Sequence, residues 1–204
     1  MQLYATLLSS FLLSCGIAAA APLEARQACG EVTLDQLNTI INGTSCANSN
    51  FPDECRDAAQ ALPFVNKAFA DYDITTTGEK AALLSLMSFE TGGFAFNINH
   101  FPGPAQQALD LAGPDPNDPS ITDDTKNAVR ELVLGDDLSF ASAAWFYKES
   151  GEAKTGCTAN ADVVQGLQAE TLDGWTVYIE KCIGTTVTPD RQAGWEAALN
   201  ALKA

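Results

Sequence analysis

The sequence predicts an all-α or mainly α single domain stapled by disulfides. Three observations predict it. Apolar residues recur at helical spacing in several separate stretches, and no run alternates with the period of a strand. Helix-opening signatures precede several of those stretches. The 204 residues are enough for one domain with its own core, and six cysteines are available to cross-link it.

The N-terminus stands apart from that domain. Leu7, Leu8, Phe11, Leu12, Leu13 and Ile17 form a short apolar run that ends in Ala18-Ala19-Ala20-Ala21. Residues 1–20 are therefore expected to be a signal peptide, although Met1-Gln2 supplies no basic n-region. "LLSC" within the run also resembles a lipobox, but apolar residues continue past Cys15. Residues 21–26 form a candidate pro-segment, since Arg26 precedes a Gln27 able to cyclise; a plain N-terminal extension is the other reading. The expected product is a secreted, monomeric protein whose domain spans 29–204.

Along the domain, Thr33 opens a short helix to about Ile41. A longer helix is expected from Pro52 to Phe69, with proline in its tolerated first turn. Thr76 and Glu79 match a capping box opening the helix Gly78–Thr91. Five prolines between 102 and 119 predict a long loop, with one short helix at Gln106–Leu111. Thr122–Leu134 follows, carrying Ala128, Val129, Leu132 and Val133. "SFASAAWFY", residues 139–147, is apolar almost all round and predicts a buried central helix. Residues 171–182 fit helix or strand equally. Pro189–Leu202 reads as a C-terminal amphipathic helix.

Cysteine usage agrees with export. With Cys15 removed, short-loop pairing favours Cys46–Cys55 and Cys157–Cys182, leaving Cys29 odd. "NGT" at Asn42 is a glycosylation sequon. A single histidine, and no CxxC, argue against a histidine-based zinc site; no cofactor is expected and none of the glycines builds a phosphate loop. The net charge of −15 and pI near 4.2 exclude the basic patches that nucleic acid or anionic membranes require. Such acidity suits solubility in an acidic medium, and less well a cationic substrate.

The segment "LLSLMSFETGGFAFNINHFPG", residues 83–103, poses the chemical question. Glu90 follows Leu83, Leu86 and Met87 on one helix face, in the last turn before Gly92-Gly93. Burial and the negative end of a helix dipole both disfavour a charged carboxylate, a property that suits a general acid. An ordinary glutamate turned out to solvent at the helix end is the other reading.

"SFETGGF" resembles the Glu-Ser-Gly type motif of lysozyme-superfamily enzymes, including goose-type lysozymes and lytic transglycosylases. With "FASAAWF" and "GWTVYIEKCIGTTVTPDR", the run from Tyr72 to Gly103 is similar to secreted fungal muramidases. The likeness covers roughly Gly30 to the C-terminus. It implies a lysozyme-like fold, a glycoside hydrolase (an antimicrobial muramidase) with Glu90 as general acid, and peptidoglycan or a related amino-sugar polymer as partner. Where goose-type lysozymes carry Gly-Leu-Met-Gln, this chain has "GPAQQALDL", so Gln106 or Gln107 stands for the cleft glutamine. No second carboxylate is assigned: Asp71 and Asp73 lie roughly 25 Å back along the helix, and Asp110, Asp115, Asp118, Asp123 and Asp124 sit in no motif. Asn97, Asn99, His100 and Tyr147 are the candidate substrate-binding groups, with turn chemistry, loop structure and core packing as their alternatives. Trp145, Trp175 and Trp195 are expected in the core. A chitosanase- or chitinase-like enzyme, and a non-catalytic secreted glycan-binding or effector protein, are the competing functions.

Overall fold

A computed structural model describes residues 30–98, 122–150 and 155–204. The compact unit runs from Val32 to Ala204; of the preceding unit only Gly30 and Glu31 are described. Every regular element among the described residues is helical.

Helix α1, Leu34–Ile40, opens on a capping box. Thr33 accepts from the Gln36 N–H, and the Gln36 side chain reaches back to Thr33. Helix α2, Ala58–Asp71, opens on a second box made by Asp57 and Gln60. It therefore starts six residues later than Pro52 suggested. Cys55 is tied to Cys46, and the Arg56 N–H is held by the Phe94 carbonyl, so residues 51–56 are fixed in turns. Asp57 is the first residue placed to cap a helix. Pro63 lies inside α2 and is exposed.

Helix α3, Thr77–Glu90, opens at the Thr76–Glu79 box. The eight residues after Thr77, Gly78 through Ser85, are all buried, so α3 is the central helix of the domain. Helix α4, Asp123–Leu132, is capped by Thr122. Two of its apolar side chains do not face a core: Ala128 is exposed and Leu132 is 73% exposed.

Helix α5, Asp136–Glu149, was expected to be buried all round. It buries only Ser139, Phe140, Ala144 and Tyr147, a single stripe at helical spacing, and Leu138 faces solvent. Trp145, expected in the core, is only partly buried, as is Phe146, because a helix packed on one side turns its remaining positions toward solvent whatever their composition. A 3₁₀ turn, Gly156–Ala159, leads to α6, Ala161–Gln168. Residues 171–182 resolve as helix. Helix α7, Leu172–Val177, widens into a π-helical segment, Tyr178–Ile183, that Gly184 stops with φ 73°. Helix α8, Pro189–Lys203, begins on Thr188 with proline in its first turn.

Helix α3 is packed by α8, α1, α6 and α5, while α2 lies along α5. Gly78 lets the start of α3 meet the Leu167 carbonyl of α6, where any Cβ would collide. Gly166 of α6 and Gly174 of α7 make a similar backbone approach. Trp175 and Trp195 stack at 5.2 Å between centroids and join α7 to α8. The disulfides are Cys46–Cys55, beneath the start of α2, and Cys157–Cys182, which ties the 3₁₀ turn to the π-helical segment. The fold is thus an all-α, disulfide-containing single domain. No helix of the described residues is long and apolar enough to cross a membrane.

Candidate functional site

The end of α3 is the natural starting point. Glu90 does not lie on the buried face: Leu83 and Met87 point into the core, but the Glu90 side chain is 52% exposed. The helix begins central and finishes at the surface, so one stripe passes from core to solvent along its length. Arg191, from the first turn of α8, places Nη1 2.7 Å from Glu90 Oε1. The same guanidinium lies over the exposed Phe89 ring, 4.2 Å from its centroid. Phe89, Glu90 and Arg191 therefore form a surface triad of ring, cation and carboxylate. The reading of a poorly solvated acid fails here, and the other reading, a glutamate turned out to solvent at the helix end, is the one the structure shows.

Beyond α3, Thr91 folds the chain back. Its hydroxyl donates to the Met87 carbonyl at 2.7 Å and accepts the Phe94 N–H at 2.8 Å. Gly92, Gly93 and Phe94 all adopt positive φ, which turns Phe94 inward against Phe140. Asn97 follows, buried rather than open to a ligand. Its side-chain amide donates to the Leu134 carbonyl at 2.8 Å and accepts from the Ser139 hydroxyl at 3.0 Å. Its backbone N–H donates to Glu54 Oε2 at 3.3 Å. Beside it, Arg56 Nε donates to Asp136 Oδ2 at 2.8 Å. Phe94, Phe96 and Phe140 wall this cluster, which leaves no room for a small molecule among its groups. Asn97 thus joins three segments of chain.

Tyr147, a candidate substrate-binding group with core packing as its other reading, takes the core position. It is fully buried and donates to Glu79 Oε1 at 3.0 Å. Glu79, only 3% exposed, is the carboxylate that the core actually holds. Its other oxygen accepts from the Thr76 hydroxyl at 2.7 Å. Burial, then the neighbouring Glu79 charge and hydrogen bond, push the Tyr147 hydroxyl far above the usual tyrosine range. Burial alone does the same to Tyr178. Neither phenol is a proton donor or acceptor for chemistry near neutrality.

Asn99, His100, the short helix expected at Gln106–Leu111 and Cys29 lie outside the described residues. Asn42 is exposed in the turn that ends α1. Arg191, Phe89 and the Arg56–Asp136 pair carried no signal and were not singled out from the sequence; Glu79 was singled out only as a helix-capping residue, by its place in the capping box. Among the described residues, no group of three or more His, Cys, Asp or Glu stands close enough to hold a metal ion.

The fold and site define a helical, disulfide-stapled domain with a surface triad of Phe89, Glu90 and Arg191. Comparison with known proteins adds one relative. The chain is 29% identical over 164 residues to a bifunctional dioxygenase–epoxy alcohol synthase of Fusarium oxysporum (strain Fo5176). The match takes in 71% of this chain but spans 12% of that relative's length. No family model and no solved structure matches.

That relative overturns the glycosidase reading. It is named for oxygen insertion and epoxy alcohol formation, not for cleavage of a glycosidic bond. The lysozyme-superfamily assignment, the glycoside hydrolase activity, the chitosanase-like alternative, the glycan-binding alternative, the antimicrobial role and the peptidoglycan or amino-sugar partner all fall with it. The short Glu-Thr-Gly pattern misled because a helix ending in Glu before a glycine turn is also a common structural device: it closes α3 and turns Phe94 into the core.

Proposed function

We propose that the Val32–Ala204 unit is an accessory module related to a segment of an oxygen-inserting enzyme, with no oxidation centre of its own. The observation that carries this reading is the extent of the match: 164 aligned residues make up 12% of a relative named for two activities. A stretch of that length corresponds to one ordinary domain. The side chains support the same view. A metal held by protein side chains alone needs several convergent donors; the four cysteines of the described residues are paired in disulfides, and among those residues the carboxylates do not converge into a ligand set. These residues do not fit such a centre.

Export belongs to the same proposal. The apolar run 7–17 with its alanine boundary supports a cleaved leader, and the two disulfides suit an oxidising compartment.

An oxygen electrode and product analysis test the module reading. The purified full chain, given an unsaturated fatty acid or its hydroperoxide, should consume no oxygen and form no epoxy alcohol. The Fusarium relative lacking the matched segment should keep both activities per active site. Turnover by the purified chain, or loss of both activities with a folded remainder, refutes an accessory role.

A further inference from the structure

We propose that Asn42 carries an N-linked glycan, and that its attachment competes with closure of the Cys46–Cys55 disulfide. The inference rests on the export reading. Asn42-Gly43-Thr44 satisfies the Asn-x-Thr rule. In the fold, Asn42 is exposed in the left-handed region, φ 56°, and its side-chain amide makes no hydrogen bond among the described residues. An ideal Cβ on the next residue, Gly43, meets nothing within 4 Å, so the chain beside the amide is open. A glycan is therefore accommodated without displacing any packed group.

Thr44 is the revealing residue. A sequon is read through both its amide and its hydroxyl, yet the Thr44 hydroxyl is engaged. It donates to the Ile41 carbonyl at 2.9 Å in a partly buried setting. The same oxygen lies against Gly93, 2.6 Å from where a Cβ on that glycine would stand. Two residues later, Cys46 is tied to Cys55. The folded turn thus presents the amide but hides the hydroxyl. Transfer has to occur while residues 42–46 are extended, before the turn docks on Gly93 and the disulfide forms.

The chemistry is a nucleophilic displacement. The Asn42 amide nitrogen attacks C1 of a lipid-pyrophosphate-linked oligosaccharide. The N–C1 bond forms, the C1–O bond to the pyrophosphate breaks, the amide gives up one proton, and the lipid pyrophosphate leaves.

The test uses the full chain translated with endoplasmic-reticulum microsomes, once with its own leader and once behind a leader known to be imported. Import is scored by protease protection, and glycan by a gel shift removed by peptide-N-glycosidase F. The expected result is a glycosylated species lost completely in Asn42→Gln and in Thr44→Val and retained in Thr44→Ser. Its fraction should rise in reductant, and again in the Cys46→Ser/Cys55→Ser double variant. Glycosylation only behind the supplied leader sinks the export reading while supporting the site. Imported chain with no enzyme-sensitive shift, in oxidising and reducing conditions alike, overturns the site. A glycosylated fraction unmoved by reductant and by the double variant overturns the competition.

Discussion

Tyr147→Phe isolates one interaction in the core. The substitution removes a single oxygen and keeps the ring, including its edge-on packing with Tyr178 at 6.2 Å. What disappears is the hydrogen bond from the Tyr147 hydroxyl to Glu79 Oε1. Hydrogen bonds to charged groups contribute about 1.5–3 kcal/mol. Glu79 keeps its bond from the Thr76 hydroxyl on the other oxygen, so the carboxylate is not orphaned. The lower part of that range is therefore expected, about 1.5–2 kcal/mol at pH 7. For a domain of this size that is roughly 3–8 °C in Tm. Equilibrium urea unfolding followed by circular dichroism is the assay, with the midpoint lowered and the slope unchanged. Tyr178→Phe is the internal control: that hydroxyl makes no hydrogen bond among the described residues, so its removal should be close to neutral. The pH dependence has a definite sign. Both phenols are held protonated in the fold, above their unfolded value. Their contribution is complete below about pH 10 and is lost as pH rises further, by about 1.4 kcal/mol per unit per group. Tyr147→Phe should make that alkaline decline shallower. A loss below about 0.5 kcal/mol at pH 7, with an unaltered alkaline limb, would refute the buried Glu79–Tyr147 interaction.

Glu90→Gln should change stability by no more than about 1 kcal/mol, because a half-exposed ion pair with Arg191 contributes little; raised salt should shrink the difference further in thermal melts. Asn97→Ala should cost about 2–3 kcal/mol in urea unfolding, since it strands the Leu134 carbonyl and the Ser139 hydroxyl inside the fold. Gly78→Ala should cost at least about 2 kcal/mol, since its methyl meets the Leu167 carbonyl in the part of α3 that is buried on every side; an unchanged melting temperature would show that α3 and α6 are further apart than described.

Much of the helical framework was legible in the chain because its signals are local. Thr33, Thr76 and Pro189 mark helix starts through hydrogen bonds and dihedral limits that span a few residues. The pairs Cys46–Cys55 and Cys157–Cys182 were nameable from spacing, since each closes a loop of modest length. Periodicity says which residues share a face, but not what that face meets. The stripe of Leu83, Leu86, Met87 and Glu90 left a buried and a solvent-turned glutamate both open; α3 runs from the centre of the domain to its surface, so its last turn is wet. The partner of Glu90, Arg191, is a hundred residues away in sequence, and no local rule brings the two together. The same holds for Tyr147, which finds Glu79 because α5 packs across the first turn of α3, and for Asn97, whose three partners come from distant segments. Local sequence determined several helix starts and favoured the two disulfide pairings. Only tertiary packing decided which carboxylate is buried, because burial depends on the neighbours of a helix at each turn and not on the helix itself.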